Sequence, residues 1–140
     1  MSLWVVGRNI PDSIKKLTDD RNVLFDENAP METSEIFKQA DALLSPIRVG
    51  GGTSFKILEA MASGVPVITT SLGIEGIDAE KDKDVLIADT AEGLANKTIG
   101  LLEDQEKYTR LAKNARVLIE KKYDWKVIVK QLEKIYESVC

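Results

Sequence analysis

The residues best suited to chemistry lie in one stretch, Ser45-Pro46-Ile47-Arg48-Val49-Gly50-Gly51-Gly52-Thr53-Ser54-Phe55-Lys56-Ile57-Leu58-Glu59. Three consecutive glycines separate a short apolar run from a segment with helical spacing. Without Cβ atoms, such a backbone can approach a ligand closely and aim its N–H groups at it. Thr53 and the first turn of the following helix add donors and the positive end of a helix dipole, a setting suited to phosphate. Glu59 adds a carboxylate, a group that accepts hydrogen bonds from sugar hydroxyls. The competing interpretation is a tight turn whose glycines serve only the backbone, with Lys56 and Glu59 as an exposed i,i+3 pair. The pattern is not a Walker loop, because no Gly-Lys-Ser/Thr follows, and it lacks the G-x-G-x-x-G spacing.

The surrounding sequence predicts a scaffold that places such a loop at the carboxyl end of a strand, where open α/β sheets bind ligands. Leu3–Val6, Asn22–Phe25, Ala42–Leu44, Val65–Thr70 and Val85–Ala88 are short, apolar and β-rich, as buried parallel strands are. Between them lie amphipathic segments. One opens at Pro11-Asp12-Ser13, with Asp12 or Ser13 as its cap and Ile14 and Leu17 apolar. A second begins at Thr33 or Ser34 with Ile36, Phe37 and Ala40 apolar. A third runs from Phe55 until Gly64 stops it. From Asp89 the pattern is helical only. Asp89 or Thr90 caps a first helix, Gln105–Lys122 is a second, and a third follows the break at Tyr123-Asp124-Trp125. Strand–helix units over 3–88 and helices over 89–139 predict a single α/β domain across 1–140, with a parallel sheet.

Composition sets the limits. The 140 residues are 44% hydrophobic and 30% charged, the make-up of one ordinary globular domain. There is no histidine, so neither a Ser-His-Asp unit nor a histidine metal site can be built. The single cysteine, Cys140, excludes an intrachain disulfide. A net charge of −4 argues against nucleic acid as a partner. No apolar run reaches the ~18 residues of a membrane span and no signal-peptide pattern opens the chain, so the expected location is cytoplasmic.

Gly50-Gly51-Gly52-Thr53-x-x-Lys56-x-Leu58-Glu59-Ala60-Met61-Ala62-x-Gly64-x-Pro66-Val67 resembles the donor-site signature of GT-B glycosyltransferases, specifically glycosyltransferase family 4 (group 1). The resemblance extends to Val5-Val6-Gly7-Arg8, Asn22-Val23-x-Phe25 and Ala40-Asp41-Ala42 upstream. Downstream it takes in Thr70-Ser71-Leu72-Gly73-x-Glu75-Gly76 and Tyr123-Asp124-Trp125. It implies the C-terminal, Rossmann-like domain that binds a nucleotide diphosphate sugar, in a retaining enzyme that needs no metal or other cofactor. By this resemblance the amides around Gly50, Gly51, Gly52 and Thr53 face the diphosphate. Lys56, ahead of Arg48, is its charge partner, and Glu59 binds the ribose. The family's Glu-x7-Glu pair would fall on positions 51 and 59, and position 51 is Gly, so the first glutamate is absent. The loop Asp26–Met31 is a weaker candidate for the edge of the base pocket.

Other candidates are structural. Asp82-Lys83-Asp84 has the Asp-x-Asp form that another glycosyltransferase class uses for metal, yet it sits in a charged stretch before a strand and reads as a solvated turn. Asp19-Asp20 reads as a solvent-facing helix end. Trp4 and Trp125 read as core or interdomain packing, and the charges of the last two helices as solvated faces.

The resemblance further implies a preceding strand–helix unit with the Arg and Lys that hold the donor phosphates, and a separate N-terminal acceptor domain. The parent enzyme could work at the inner face of the membrane, and this chain alone is expected not to turn over. Without that first strand, the sheet is expected to close by pairing Leu3–Val6 with Ala42–Leu44. A homodimer filling the gap is the competing arrangement. A nucleotide-sugar epimerase on the same fold and a degenerate binding module remain as functional alternatives, since fold alone does not separate them.

Overall fold

A computed structural model of the chain describes residues 1–18 and 21–139; Asp19, Asp20 and Cys140 lie outside the described residues. The order is β1 (Leu3–Val6), α1 (Asp12–Lys15), β2 (Val23–Asp26), α2 (Thr33–Phe37), β3 (Leu43–Ser45), α3 (Phe55–Ala62), β4 (Val67–Thr69), β5 (Leu86–Ile87), α4 (Ala91–Leu102), α5 (Gln105–Lys122) and α6 (Trp125–Val139). All the strand pairs are parallel. β3 runs beside β4 from Leu43↔Val67 to Ser45↔Thr69, and β4 beside β5 from Ile68↔Leu86.

The five expected strands are present, but they do not close into one sheet. β1 and β2 form a two-stranded sheet, β3–β4–β5 a three-stranded one, and no ladder joins β1 to β3 among the described residues. The first half docks through a helix instead: Phe37 at the end of α2 is buried in the cluster around α3. Burial differs accordingly. Every residue of β4 is buried, whereas none of β1 or β2 is.

The core lies on both faces of the three-stranded sheet, as strand alternation requires. Val67 and Val85 join Ile57, Ala60, Met61, Ala115 and Ile119 on one face; Ile68 and Leu86 join Leu94, Leu101 and Leu111 on the other. Leu111 and Ala115, one turn apart, belong to different clusters, so α5 ties the two together. Its amino end is capped by Asp104, whose carboxylate accepts from Lys107 N at 2.9 Å, and Thr90 caps α4 by accepting from Gly93 N. At the α5–α6 junction, Asp78 N donates to the Tyr123 hydroxyl at 2.7 Å and Lys122 pairs with the Asp78 carboxylate.

Several local expectations need correction. The N-cap positions of α1 and α2 are Pro11 and Glu32, with no side-chain cap bond, so neither Asp12, Ser13, Thr33 nor Ser34 serves as the cap. The apolar residues of the α1 segment find little cover: Ile14 is 42% and Leu17 75% exposed. Trp125 is 76% exposed and α6 buries none of its residues, so Trp125 is no core residue within this chain. Asp84, expected in solvent, is buried and accepts a hydrogen bond from Glu80 N at 2.9 Å, closing its own turn.

These burial differences predict distinct costs. Ile57→Ala is expected to lower stability by about 2–5 kcal/mol, and Leu132→Ala on α6 by no more than ~0.5 kcal/mol. The hydroxyl of Ser45 is buried without a partner among the described residues, so Ser45→Ala is expected to be neutral or to stabilise by about 1 kcal/mol. Urea unfolding midpoints check all three.

Candidate functional site

The site is organised by α3. Ile57, Ala60 and Met61 are buried on its inner face, which turns Lys56 and Glu59, three residues apart, outward on the same exposed side. Its carboxyl end is closed tightly. Gly64 N donates to Met61 O and Val65 N to Ala60 O, the paired bonds of a Schellman stop. The Arg116 guanidinium donates to the Ala62 carbonyl, so one cation of α5 is not merely a solvated charge but neutralises the negative end of α3. Nothing comparable occupies the amino end: the side chain of the N-cap residue Ser54 makes no cap bond. Ile57 N donates to Ser54 O at 3.1 Å, and among the described residues the amides of Phe55 and Lys56 are left for a ligand or for water.

Directly before this end lies a depression of about 310 Å³, lined by Ile47, Val49, Gly50–Ser54, Lys56, Leu72 and Gly73. That volume lies at the small end of ligand pockets. It therefore gathers Gly50, Gly51, Gly52, Thr53 and Lys56 around one space, as the sequence predicts. Arg48 and Glu59 are exposed but do not line it. Arg48 projects from the loop between two lining residues, and Glu59 lies one turn further along α3 on the side of Lys56. The Lys56–Glu59 ion pair that would have occupied both charges is not formed among the described residues. Gly50 and Gly52 adopt φ of 134° and 85°, values that require glycine. Gly51 does not share this left-handed geometry, and a Cβ built on it would meet nothing within 4 Å.

Leu72 and Gly73 were not evident as site residues. They follow β4 as the glycine loop follows β3, so the rule that ligands gather at carboxyl strand ends was the available signal. The segment 70–76 touches the glycine loop at both ends. Thr70 Oγ1 donates to Ile47 O at 2.6 Å, and a Cβ on Gly76 would come within 2.5 Å of Thr53 Oγ1. The segment is anchored in turn by Asp89, whose carboxylate accepts from both Ser71 N and Ser71 Oγ at 2.7 Å. The Ser71 amide first, and its hydroxyl second, hold the Asp89 carboxyl below the ordinary aspartate value of 3.8.

The remaining candidates are used locally. In the loop Asp26–Met31, Asp26 accepts from Asn28 N, while Glu27 accepts from Ile10 N and pairs with Lys15. Asp82 pairs with Lys97, which holds its carboxyl below 3.8. Among the described residues no group of three or more His, Cys, Asp or Glu is arranged to hold a metal.

A parallel α/β domain with a glycine loop at the carboxyl end of a strand, facing the amino end of a helix, has the architecture of a Rossmann-like domain. More particularly, the profile of the family described as glycosyl transferases group 1 matches residues 1–104, and the chain belongs to that family. Its fold is that of a C-terminal GT-B glycosyltransferase domain. A crystal structure of the C-terminal domain of a group 1 glycosyl transferase from Francisella tularensis superposes with a TM-score of 0.68, at 23% identity, over 81% of this chain and 60% of that one. Anabaena HepE, crystallised with UDP-glucose, gives a TM-score of 0.79 at 21% identity, over 98% of this chain and 41% of that one. In sequence, the chain is 27% identical over 144 residues to a phosphatidyl-myo-inositol mannosyltransferase of Mycolicibacterium smegmatis. That match takes in 99% of this chain and 37% of the mannosyltransferase, so the chain spans little more than a third of that relative.

Two consequences of this geometry are measurable. Gly76→Ala, which combines a φ of 79° with the Thr53 contact, is expected to cost about 1–3 kcal/mol, whereas Gly51→Ala should stay within ~0.5 kcal/mol. Because the Asp89 carboxyl titrates lower in the folded chain than in the unfolded one, the Ser71 anchor stabilises fully above pH 3.8 and is lost as the pH falls below it. The stability difference between wild type and Asp89→Asn, followed by acid titration, is therefore expected to shrink below that pH.

Proposed function

We propose that this chain is the nucleotide-sugar-binding half of a retaining glycosyltransferase, one that transfers a sugar from a nucleotide diphosphate sugar to an acceptor hydroxyl. The observation that carries this reading is the convergence of Gly50, Gly51, Gly52, Thr53 and Lys56 on one depression at the uncapped amino end of α3. Membership of the group 1 family and the likeness to a structure holding UDP-glucose support it. In this reading the loop and first-turn amides bind the diphosphate, and their dipoles stabilise the charge that grows on it as the glycosidic bond breaks. Lys56 supplies the cation, with Arg48 as a secondary one, and no metal is given a role. Glu59 accepts hydrogen bonds from the ribose and so fixes the donor in place. No carboxylate at position 51 contacts the sugar.

Turnover in this reading needs the acceptor-binding half of a longer enzyme, acting on the cytoplasmic side. Among the described residues no helix is long and apolar enough to cross a membrane. The open edges of β1 and β3 are assigned to strand pairing from outside this chain. If a second copy supplies it, sedimentation records a dimer, and a strict monomer excludes that source.

Calorimetric titration with UDP, GDP and ADP tests the central reading. Lys56→Ala is expected to weaken diphosphate binding about tenfold or more, and Glu59→Ala to weaken binding of the same nucleotide by a similar factor. Absence of binding to every nucleotide, even in the full-length protein, overturns the donor site. Interconversion of the free nucleotide sugar in place of transfer overturns the transferase assignment in favour of an epimerase.

A further inference from the structure

The β3–β4 ladder ends at Ser45↔Thr69, yet the association of the two strand exits continues for two more residues through side chains. Thr69 Oγ1 donates to Ser45 O at 2.8 Å, and Thr70 Oγ1 donates to Ile47 O at 2.6 Å. A hydroxyl has one proton and two lone pairs. Thr70 commits its proton to the Ile47 carbonyl and accepts from Gly73 N at 3.0 Å. Thr70 is buried, at 5% exposure, and both residues it joins line the depression. The fit leaves no slack. A Cβ on Gly73 would overlap Thr69 Oγ1, approach Thr70 Oγ1 to 3.2 Å and touch Ile47 Cδ1 at 3.5 Å.

The other attachment of the loop is at its far end, where Thr53 Oγ1 lies 3.4 Å from Gly76 O. Among the described residues no hydrogen bond holds Arg48, Val49, Gly50, Gly51 or Gly52 in between. The loop therefore hangs between two attachments, of which the Thr70 bond is the shorter and the less exposed.

We propose that Thr70 is a positioning residue: its hydroxyl locks the glycine loop to the segment following β4, and so fixes where the loop amides point. The inference rests on the donor-site reading for its effect on ligand, but the locking of the loop can be measured without one.

The experiment compares wild type, Thr70→Val and Thr70→Ser. UDP, GDP and ADP and the matching monophosphates are titrated, with melting temperature and amide hydrogen exchange followed in parallel. Thr70→Val keeps the shape and removes the bonding. It is expected to lose about tenfold in diphosphate affinity, with a smaller loss for the monophosphate, and Thr70→Ser is expected to restore binding to within about twofold of wild type. Exchange in Thr70→Val is expected to accelerate selectively over residues 48–53. Wild-type diphosphate affinity in a folded Thr70→Val, equal losses for diphosphate and monophosphate, or failure of serine to rescue each overturns the proposal. If Thr70→Val does not fold, Thr70→Cys, a weak donor of similar size, takes its place with the same criteria. If wild type binds no nucleotide, even in the full-length protein, the donor-site reading fails on its own. The lock is then judged by exchange alone: selective acceleration over 48–53 sustains it, and unchanged exchange rejects it.

Discussion

A helix has amide hydrogens without intrahelical partners at one end and carbonyls without them at the other, and α3 treats its two ends oppositely. At its carboxyl end the Gly64 stop and the Arg116 guanidinium occupy the carbonyls. Its inner face is driven into the core by Ile57, Ala60 and Met61, all fully buried. With its carboxyl end and inner face fixed, the amino end is held at the mouth of β3 while the Phe55 and Lys56 amides stay open. A ligand that meets these amides encounters donors that need no reorganisation, which is the condition under which a dipole stabilises charge effectively. Much of the remaining fold can be read as support for that end: α5 supplies both the guanidinium and the packing surface, and Asp89 anchors the segment that faces the loop.

Support is distributed unevenly along the chain. The β3–β4–β5 half carries both core clusters and every fully buried side chain. The β1–β2 half buries little and is joined to the rest through Phe37 and α2. Since hydrophobic stabilisation follows buried apolar area, the first half is expected to open locally before the second. The site sits on the side of this divide that holds the core, so its geometry does not depend on the weaker sheet.

How much of this could be read from the sequence depended on how far apart the interacting residues are. α5 was legible to its bounds, because Asp104 caps it and its apolar residues recur at three- and four-residue steps, all local information. The glycine loop and the stop at Gly64 were equally legible, since both rest on backbone conformations that favour one residue type. The separation of the strands into two sheets was not, because a ladder between β1 and β3 is a long-range choice with no local signature. The brevity of α1 was hidden for a similar reason: Ile14 and Leu17 have helical spacing but little to pack against. The share of Leu72 and Gly73 in the pocket depends on a hydroxyl bond between residues 23 apart in sequence. Threonine at a strand end gives no hint of such a partner. The burial of Asp84 was masked because its carboxylate serves its own turn, and a charged triplet looks the same whether or not one member faces inward.

Position 51 carries a consequence of a different kind. Its neighbours Gly50 and Gly52 are fixed as glycine by their backbone angles, but Gly51 is glycine without any steric demand, with open space where a side chain would stand. The local shape therefore does not forbid a side chain at this position. For protein engineering, the loop is a socket: a carboxylate, an amide or a reporter group could be installed at this one position, at the rim of the depression, without disturbing the backbone that forms it.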